Sequence, residues 1–269
     1  MTESVTWVPH GVDEAMPSSA RIYDYLLGGG HNFAADRRIA EKFAAALPGS
    51  RDIIRLNRAF LRRAVLFMIS AGVRQFLDIG SGIPTVGNVH EIAQKAAFGS
   101  TVVYVDLDPV AIAHSELALA GNPRAAAVHA DLTNPDRILA HRDTRRLLRL
   151  DEPVGVLMVG VLHFVPEQRD PDRLLARYRA ALAPGSYLAL SHFTADTRAA
   201  EMAAVVEVMK RTKDPIHPRT RERITRFFDG FELVEPGVVS TALWRPDSPS
   251  DLVDRPGRDQ MLAGVGRRP

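Results

Sequence analysis

Between residues 72 and 193, short apolar runs alternate with amphipathic stretches. Residues 74–80 (RQFLDIG), 101–108 (TVVYVDLD), 125–132 (AAAVHADL), 154–164 (VGVLMVGVLHF) and 186–193 (SYLALSHF) read as strands. VGNVHEIAQKAAF, PVAIAHSELALAG, the stretch running to about Leu150, and RLLARYRAALAPG read as helices between them. The 154–164 run is apolar without alternation, which marks a central strand covered on both faces. Strand–helix alternation of this kind predicts a parallel sheet with right-handed crossovers and helices on both sides.

On either side of this region the pattern changes. Residues 1–16 show no periodicity and read as a loose arm. Pro17-Ser18-Ser19 makes a helix start, with Ile22, Tyr25 and Leu26 to one side. A second helix is expected over Arg37 to Leu47, ended by Pro48-Gly49. A third runs from Asp52 to Ala71, with Ile53, Leu56, Phe60, Ala64 and Phe67 at helical spacing and Gly72 as its cap. After residue 193 come two helices, 196–211 and 219–228. Two strands follow, FELVEPGVV and QMLAGVGR, separated by a stretch too rich in proline and aspartate for a helix. They pair most simply as an antiparallel hairpin. The expected fold is therefore α/β, with seven strands, mostly parallel, over residues 72–269 and a helical N-terminal extension over 1–71.

Composition narrows the function. The chain has 269 residues, 46% hydrophobic and 25% charged, an ordinary globular balance. Cysteine is absent, so disulfides and thiolate metal sites are excluded. No apolar run approaches the roughly 20 residues of a membrane span. MTESVTWVPHGVDEAMPSS lacks a basic start followed by an apolar core, so a cytoplasmic location is expected. Net charge is only +2, and lysine occurs only at positions 42, 95, 210 and 213. The densest basic stretch, AHRDTRRLLRLDE, is interspersed with Asp143, Asp151 and Glu152. It reads as a solvated helix face, and a nucleic-acid partner is not expected.

The informative motif is FLDIGSGIPT. A strand ends in Asp78, Gly80 and Gly82 supply a tight turn, and Pro84 suits the first turn of a following helix. Such a loop can bring backbone N–H groups against a ligand, though it also serves as a plain strand-to-helix turn. Asp106 ends the second strand, 26 positions beyond Gly80, where a carboxylate can accept from ribose hydroxyls. Asp131 ends the third strand at the same edge. Asp108 and Asp131 could equally cap the next helices. A dinucleotide site favours a third glycine where Thr85 stands, and a pyrophosphate gains little from Asp78. A ligand carrying an amine and a sulfonium tolerates that carboxylate, which favours S-adenosylmethionine over a nicotinamide dinucleotide.

LDIGSG, VYVDLDP and HADL with the terminal hairpin resemble the class I methyltransferase fold. PSSARIYDYLLGGGHNFAADR, NRAFLRRAV, FLDIGSGIPT, VVYVDLDPVAIAHS and AGVGRRP resemble, more narrowly, an S-adenosyl methyltransferase family first known as a domain of unknown function. The likeness runs from about Pro17 to the C-terminus. It implies that Gly80, Ser81 and Gly82 hold the methionine portion, with Asp78 near its amine. Asp106, with Leu107 beside it, takes the ribose hydroxyls. Asp131 faces the adenine amino group, Leu132 packs near the ring, and Gly160 lies by the sulfonium. Pro84-Thr85 departs from the class pattern. The resemblance does not imply the acceptor.

In such a fold the N-terminal helices lie across the carboxyl edge of the sheet. Three successive glycines, Gly28–Gly30, are costly unless the backbone needs them. Residues 18–37 are expected to form a lid, with Tyr23 or Tyr25 over the cofactor and His31-Asn32 near the reacting centre. The alternative is a simple chain reversal between packed helices. Arg21 and Arg58 are candidates for the cofactor carboxylate or for surface ion pairs. His163 and His192, at the ends of the fourth and fifth strands, are candidates for one general base with an ordinary value near working pH, while a plain packing or hydrogen-bonding role is expected for at least one of them. No metal site is expected. Phe164 and Phe193 suggest a pocket for a small-molecule acceptor. The rival readings are a non-catalytic S-adenosylmethionine-binding regulator and an NAD-linked oxidoreductase.

Overall fold

The computed structural model of the protein describes residues 9, 11–85, 87–253 and 257–269. The expected loose arm over 1–16 therefore lies largely outside the described residues. Three helices open the chain: α1 (Ser19–Leu27), α2 (Ala34–Ala46) and α3 (Ser50–Ser70). Ser18 caps α1, its side chain accepting from the Arg21 amide, and Gly28 ends it in the left-handed region at φ 91°. The alternating region follows as β1 (Gln75–Ile79), α4 (Val89–Ala96), β2 (Thr101–Asp106), α5 (Pro109–Ala118) and β3 (Ala125–His129). Then come α6 (Pro135–Ala140), α7 (Arg142–Leu147), β4 (Val154–Val159), α8 (Pro171–Ala181) and β5 (Tyr187–Phe193). The chain closes with α9 (Ala199–Met209), α10 (Arg221–Arg226), β6 (Glu232–Leu233), β7 (Val239–Ser240) and β8 (Met261–Arg267).

The sheet order is β3-β2-β1-β4-β5-β8-β6, with β7 also paired to β8. Strands β1 to β5 run parallel, and β8 is antiparallel to β5, β6 and β7. This is the sheet that the class I methyltransferase resemblance implies, and its strand order reverses between β1 and β4. In an open α/β sheet, that switch point places the ligand crevice at the carboxyl ends of the strands.

Two strands depart furthest from the expectation. The strand expected over 231–239 is interrupted, so the sheet has eight strands among the described residues. Pro236 has no amide to give a ladder and Gly237 sits at φ 82°, which lets the chain leave and rejoin the edge of β8. The run expected over 154–164 ends as a strand at Val159. Gly160 takes φ 79°, and Leu162–Phe164 form a 3-10 turn outside the sheet.

Packing follows the period-2 alternation of the strands. Leu77, Ile79, Val103, Val105, Val156 and Met158 meet Leu174, Tyr178, Ile224 and Phe227 on one face. Phe76, Val102, Tyr104 and Leu157 meet Phe60, Ala64 and Met68 of α3 on the other. A side chain at Gly155 would meet Met68 Sδ at 2.8 Å, so this glycine allows α3 its close approach. Each such buried apolar side chain contributes about 1.5–3 kcal/mol. A third cluster, with Leu26, Phe43, Ile54, Phe193, Met209 and Met261, joins α1, α2, α3 and α9 over the carboxyl edge of the sheet.

Candidate cofactor and acceptor site

At that edge lies a cavity of about 480 Å³, within the roughly 300–1,000 Å³ range of small-molecule sites. Asp78, Asp106 and Asp131, from the ends of β1, β2 and β3, all line it, as do Gly80, Ser81, Gly82, Leu107, Leu132 and Gly160. Gly80 takes φ 72°, and a Cβ there would lie 2.3 Å from Val161 Cγ2, so only glycine fits. The Gly80 and Ser81 amides donate to Val105 O (2.8 and 3.1 Å), which ties the turn to β2. Ser81 Oγ is buried with no hydrogen-bond partner.

Both oxygens of Asp106 hold main chain. Gly82 N donates to Oδ2 (2.7 Å) and Asp108 N donates to Oδ1 (2.8 Å), which joins the two loops. Asp131 Oδ1 accepts from Thr133 N and Oγ1, both at 2.8 Å. Leu132 O accepts from Tyr178 Oη (2.8 Å), and Leu107 stands exposed on the rim.

The helix expected to begin near Pro84 begins only at Val89. Asn88 caps it, with Glu91 completing a capping box: Asn88 N donates to Glu91 Oε2 (2.8 Å). The Gly80–Gly82 turn is thus not itself a helix N-terminus.

Electrostatics favour a cation in this cavity. Burial pushes Asp78 up to about 7; the Arg58 guanidinium opposes the shift and the Asp106 carboxylate adds to it. Burial also pushes Asp106 up to about 6, against the amides of Asp108 and Gly82 and reinforced by Asp108 and Asp214. A positive group placed between these carboxylates would restore both to the charged form.

Helix α1 forms one wall through Ser18, Ser19, Ala20, Ile22, Tyr23 and Leu26. Tyr23 Oη lies 3.4 Å from Ile54 O and accepts from Asn57 Nδ2 (3.3 Å). Asn57 Oδ1 accepts from Ser191 Oγ (2.6 Å). Asn57 had no signal in the sequence beyond being a polar residue on the buried stripe of α3. A Cβ on Gly160 would lie 3.1 Å from Asn57 Nδ2, so these two elements meet at the cavity.

Other expected members lie elsewhere. Tyr25 turns away, its hydroxyl 3.3 Å from Glu41 Oε1 and its ring beside Arg51. His31 and Asn32 are not among the cavity-lining residues. Buried Asp24 holds them back, its Oδ2 accepting from His31 N (2.9 Å) and Asn32 Nδ2 (2.8 Å). The His31 ring packs on His114, 3.9 Å between centroids. Arg21 makes no surface ion pair and does not reach the cavity. It is fully buried, its Nε 2.9 Å from Asp36 Oδ2 and its Nη1 3.1 Å from Asp108 Oδ2. Ser18 Oγ also donates to Asp108, so this cluster pins α1 to the loop that carries Asp106. Arg58 lines the cavity and donates to Gly87 O (2.9 Å).

The two histidines separate. His163, on the 3-10 turn, is buried and lines the cavity, and its Nδ1 has no hydrogen-bond partner. Burial, then His192, Arg219 and His217, holds it well below the ordinary imidazole range. His192 does not line the cavity. Its Nε2 faces Arg219 Nη1 (2.8 Å) and its Nδ1 faces Phe193 O (2.8 Å). Guanidinium can only donate, so Nε2 is the acceptor and Nδ1 carries the proton. The ring's one basic lone pair is occupied.

Residues 5–269 match the family model described as S-adenosyl methyltransferase. A crystal structure of a candidate methyltransferase from Thermobifida fusca shares 42% identity and a TM-score of 0.92, covering 98% of this chain and 99% of that one. A DUF574 family protein from Streptomyces avermitilis shares 39% identity and a TM-score of 0.92, covering 96% of this chain and 99% of that one. No curated protein matches the chain. The protein belongs to the S-adenosyl methyltransferase family, and its cofactor is S-adenosylmethionine. The family match gives no support to a nicotinamide-linked role.

Proposed function

We propose that this protein is an S-adenosylmethionine-dependent methyltransferase acting on a small-molecule acceptor in the cytoplasm. The observation that carries the reading is the convergence of Asp78, Asp106 and Asp131 on one cavity behind a turn where only glycine fits. The residues suit the cofactor's chemistry. Asp78, which burial holds toward its neutral form, suits a cationic partner such as an amine. Asp106 would accept from the ribose hydroxyls, and Asp131 from the adenine amino group between Leu107 and Leu132. The Gly80–Gly82 backbone and Ser81 would hold the methionine portion, and Gly160 would leave room at the sulfonium.

When bound, S-adenosylmethionine supplies a methyl group already activated for displacement. The protein's part is then alignment and exclusion of water, with no obligatory proton-transfer residue. Tyr23 and the rest of α1 would close the cavity as part of a lid spanning residues 18–37, with residues 1–71 as its arm and support and 72–269 as the cofactor-binding domain. The apolar cluster above β5 would receive the acceptor.

Calorimetric titration with S-adenosylmethionine, S-adenosylhomocysteine and NADH tests the cofactor. Mass spectrometry of a small-molecule acceptor panel tests turnover. Binding of the first two ligands and methylation of at least one acceptor are expected. Binding with no turnover on any acceptor would favour a regulator, and NADH binding alone would overturn the reading.

A further inference from the structure

Beyond the carboxylates the cavity changes character. Phe43, Ile54, Phe193, Met209, Ile216 and Met261 line it and pack in one apolar cluster. The charged lining residues lie at other positions. Arg58 acts on Asp78, Asp214 on Asp106, and Arg169 stands 4.0 Å from Asp131. Lys213 adjoins Asp214, and its amide is bound to Pro17 O (3.2 Å).

Where the two parts meet stands His163. A Cβ on Gly160 would lie 4.0 Å from its Cε1, so that ring edge faces the corner shared by Gly160 and Asn57. The ring is buried, yet its Nδ1 has no hydrogen-bond partner. Buried polar atoms normally find one, and each exception asks for an explanation. Its backbone, by contrast, is fixed from every side. His217 N donates to His163 O (2.8 Å), and Arg219 donates to Leu162 O (3.3 Å) and Val165 O (2.6 Å) on either side of it. The groups facing the ring are His192, Arg219 and His217, none of them anionic, so the ring is kept neutral.

We propose that the apolar lobe is an acceptor subsite for a flat, uncharged aromatic molecule bearing one O–H or N–H, which is hydrogen-bonded to the His163 imidazole. The aromatic and methionine side chains give an apolar body contact without demanding a fixed polar pattern. Tyr23 and Asn57, which also line the cavity, are bonded to each other, and the neutral imidazole offers an open hydrogen-bonding nitrogen to the reacting group. An anionic group seated against these apolar side chains would leave water without a polar partner among them, which is costly. Arg219 acts as a positioning residue by holding the turn that presents His163. This inference deepens the methyltransferase reading and rests on it.

A matched set of probes tests it by binding rather than by turnover. 2-Naphthol, naphthalene and 2-naphthoate are titrated into the protein saturated with S-adenosylhomocysteine, followed by calorimetry and ligand-observed NMR. 2-Naphthol is expected to bind ~3–10-fold more tightly than naphthalene, which matches the worth of one buried hydrogen bond, and 2-naphthoate least tightly. In His163→Phe the naphthol preference is expected to vanish, while in His163→Gln, which keeps an acceptor, part of it returns. Retained S-adenosylhomocysteine affinity shows that each variant is folded. Equal binding of naphthol and naphthalene, tightest binding of naphthoate, or an undiminished preference in His163→Phe would overturn the proposal. Failure of wild-type protein to bind S-adenosylhomocysteine would instead overturn the cofactor reading beneath it.

Discussion

Arg219 donates from Nη1 to Nε2 of His192 across 2.8 Å in the protein interior. With Nδ1 committed to Phe193 O, the ring is locked in one neutral tautomer, and burial pushes its value down to about 3. Nitrogen-15 NMR of the histidine side chains is expected to show His192 neutral and Nδ1-protonated from pH 8 down to about pH 4. The folded value is depressed below the ordinary 6.5. The unfolded chain therefore takes up the proton first, and this residue's share of stability is lost as pH falls below about 6.5. A His192 signal titrating near pH 6 would refute the assignment.

Asp78 carries the opposite sign. Its folded value is raised to about 7 from 3.8, so in the unliganded protein its contribution to stability is present below about pH 4 and lost as pH rises through 7. Cofactor binding should reverse this preference, because a cationic amine favours the carboxylate. Affinity for S-adenosylmethionine is expected to fall as pH drops from 8 to 5. Near pH 7, binding should release a proton, seen as a dependence of calorimetric heat on buffer ionisation enthalpy.

The buried pairing of Arg21 with Asp36 and Asp108 joins α1 to the cofactor wall. Arg21→Met would leave two buried carboxylates without their cation. A loss of about 3–5 kcal/mol is expected in denaturant unfolding, and in the folded fraction a weaker hold on the cofactor.

The three glycines after α1 answer to three different demands. Gly28 sits at φ 91°, so Gly28→Ala is expected to cost about 1–2 kcal/mol. A Cβ at Gly29 would lie 2.0 Å from Asp24 Oδ1, and overpacking against that held carboxylate is expected to cost about 1–3 kcal/mol. Gly30 has open space and no left-handed backbone. Gly30→Ala should be neutral or gain about 0.4–1 kcal/mol through the unfolded chain. Thermal unfolding of the three variants separates these cases.

Much of this was legible in the sequence because the strand–helix alternation is strong and local. The sheet, the Gly80–Gly82 turn and the three aspartates at strand ends all follow from segments of a few residues each. What escaped depends on partners distant in the chain. His163 and His192 look alike as strand-end histidines, and only Arg219 and the turn at Gly160 set them apart. Asn57 was hidden in an apolar stripe, and its polar partners Tyr23 and Ser191 come from other elements. Arg21 read as a surface charge because Asp36 and Asp108 are brought to it only by folding. The start of α4 is a local exception: the Asn88–Glu91 capping box sets it at Val89, so Pro84 stands in the loop before it.

Calorimetric titration of S-adenosylmethionine into wild-type protein and Asp106→Ala, with circular dichroism to check the fold, bears most directly on the site. Loss of charge-assisted hydrogen bonds worth about 1.5–3 kcal/mol predicts one-site binding in the wild type and at least ~10-fold weaker binding in the folded variant. Equal affinity in the two proteins, or no binding to either, would contradict the placement of the cofactor at the ends of β1, β2 and β3.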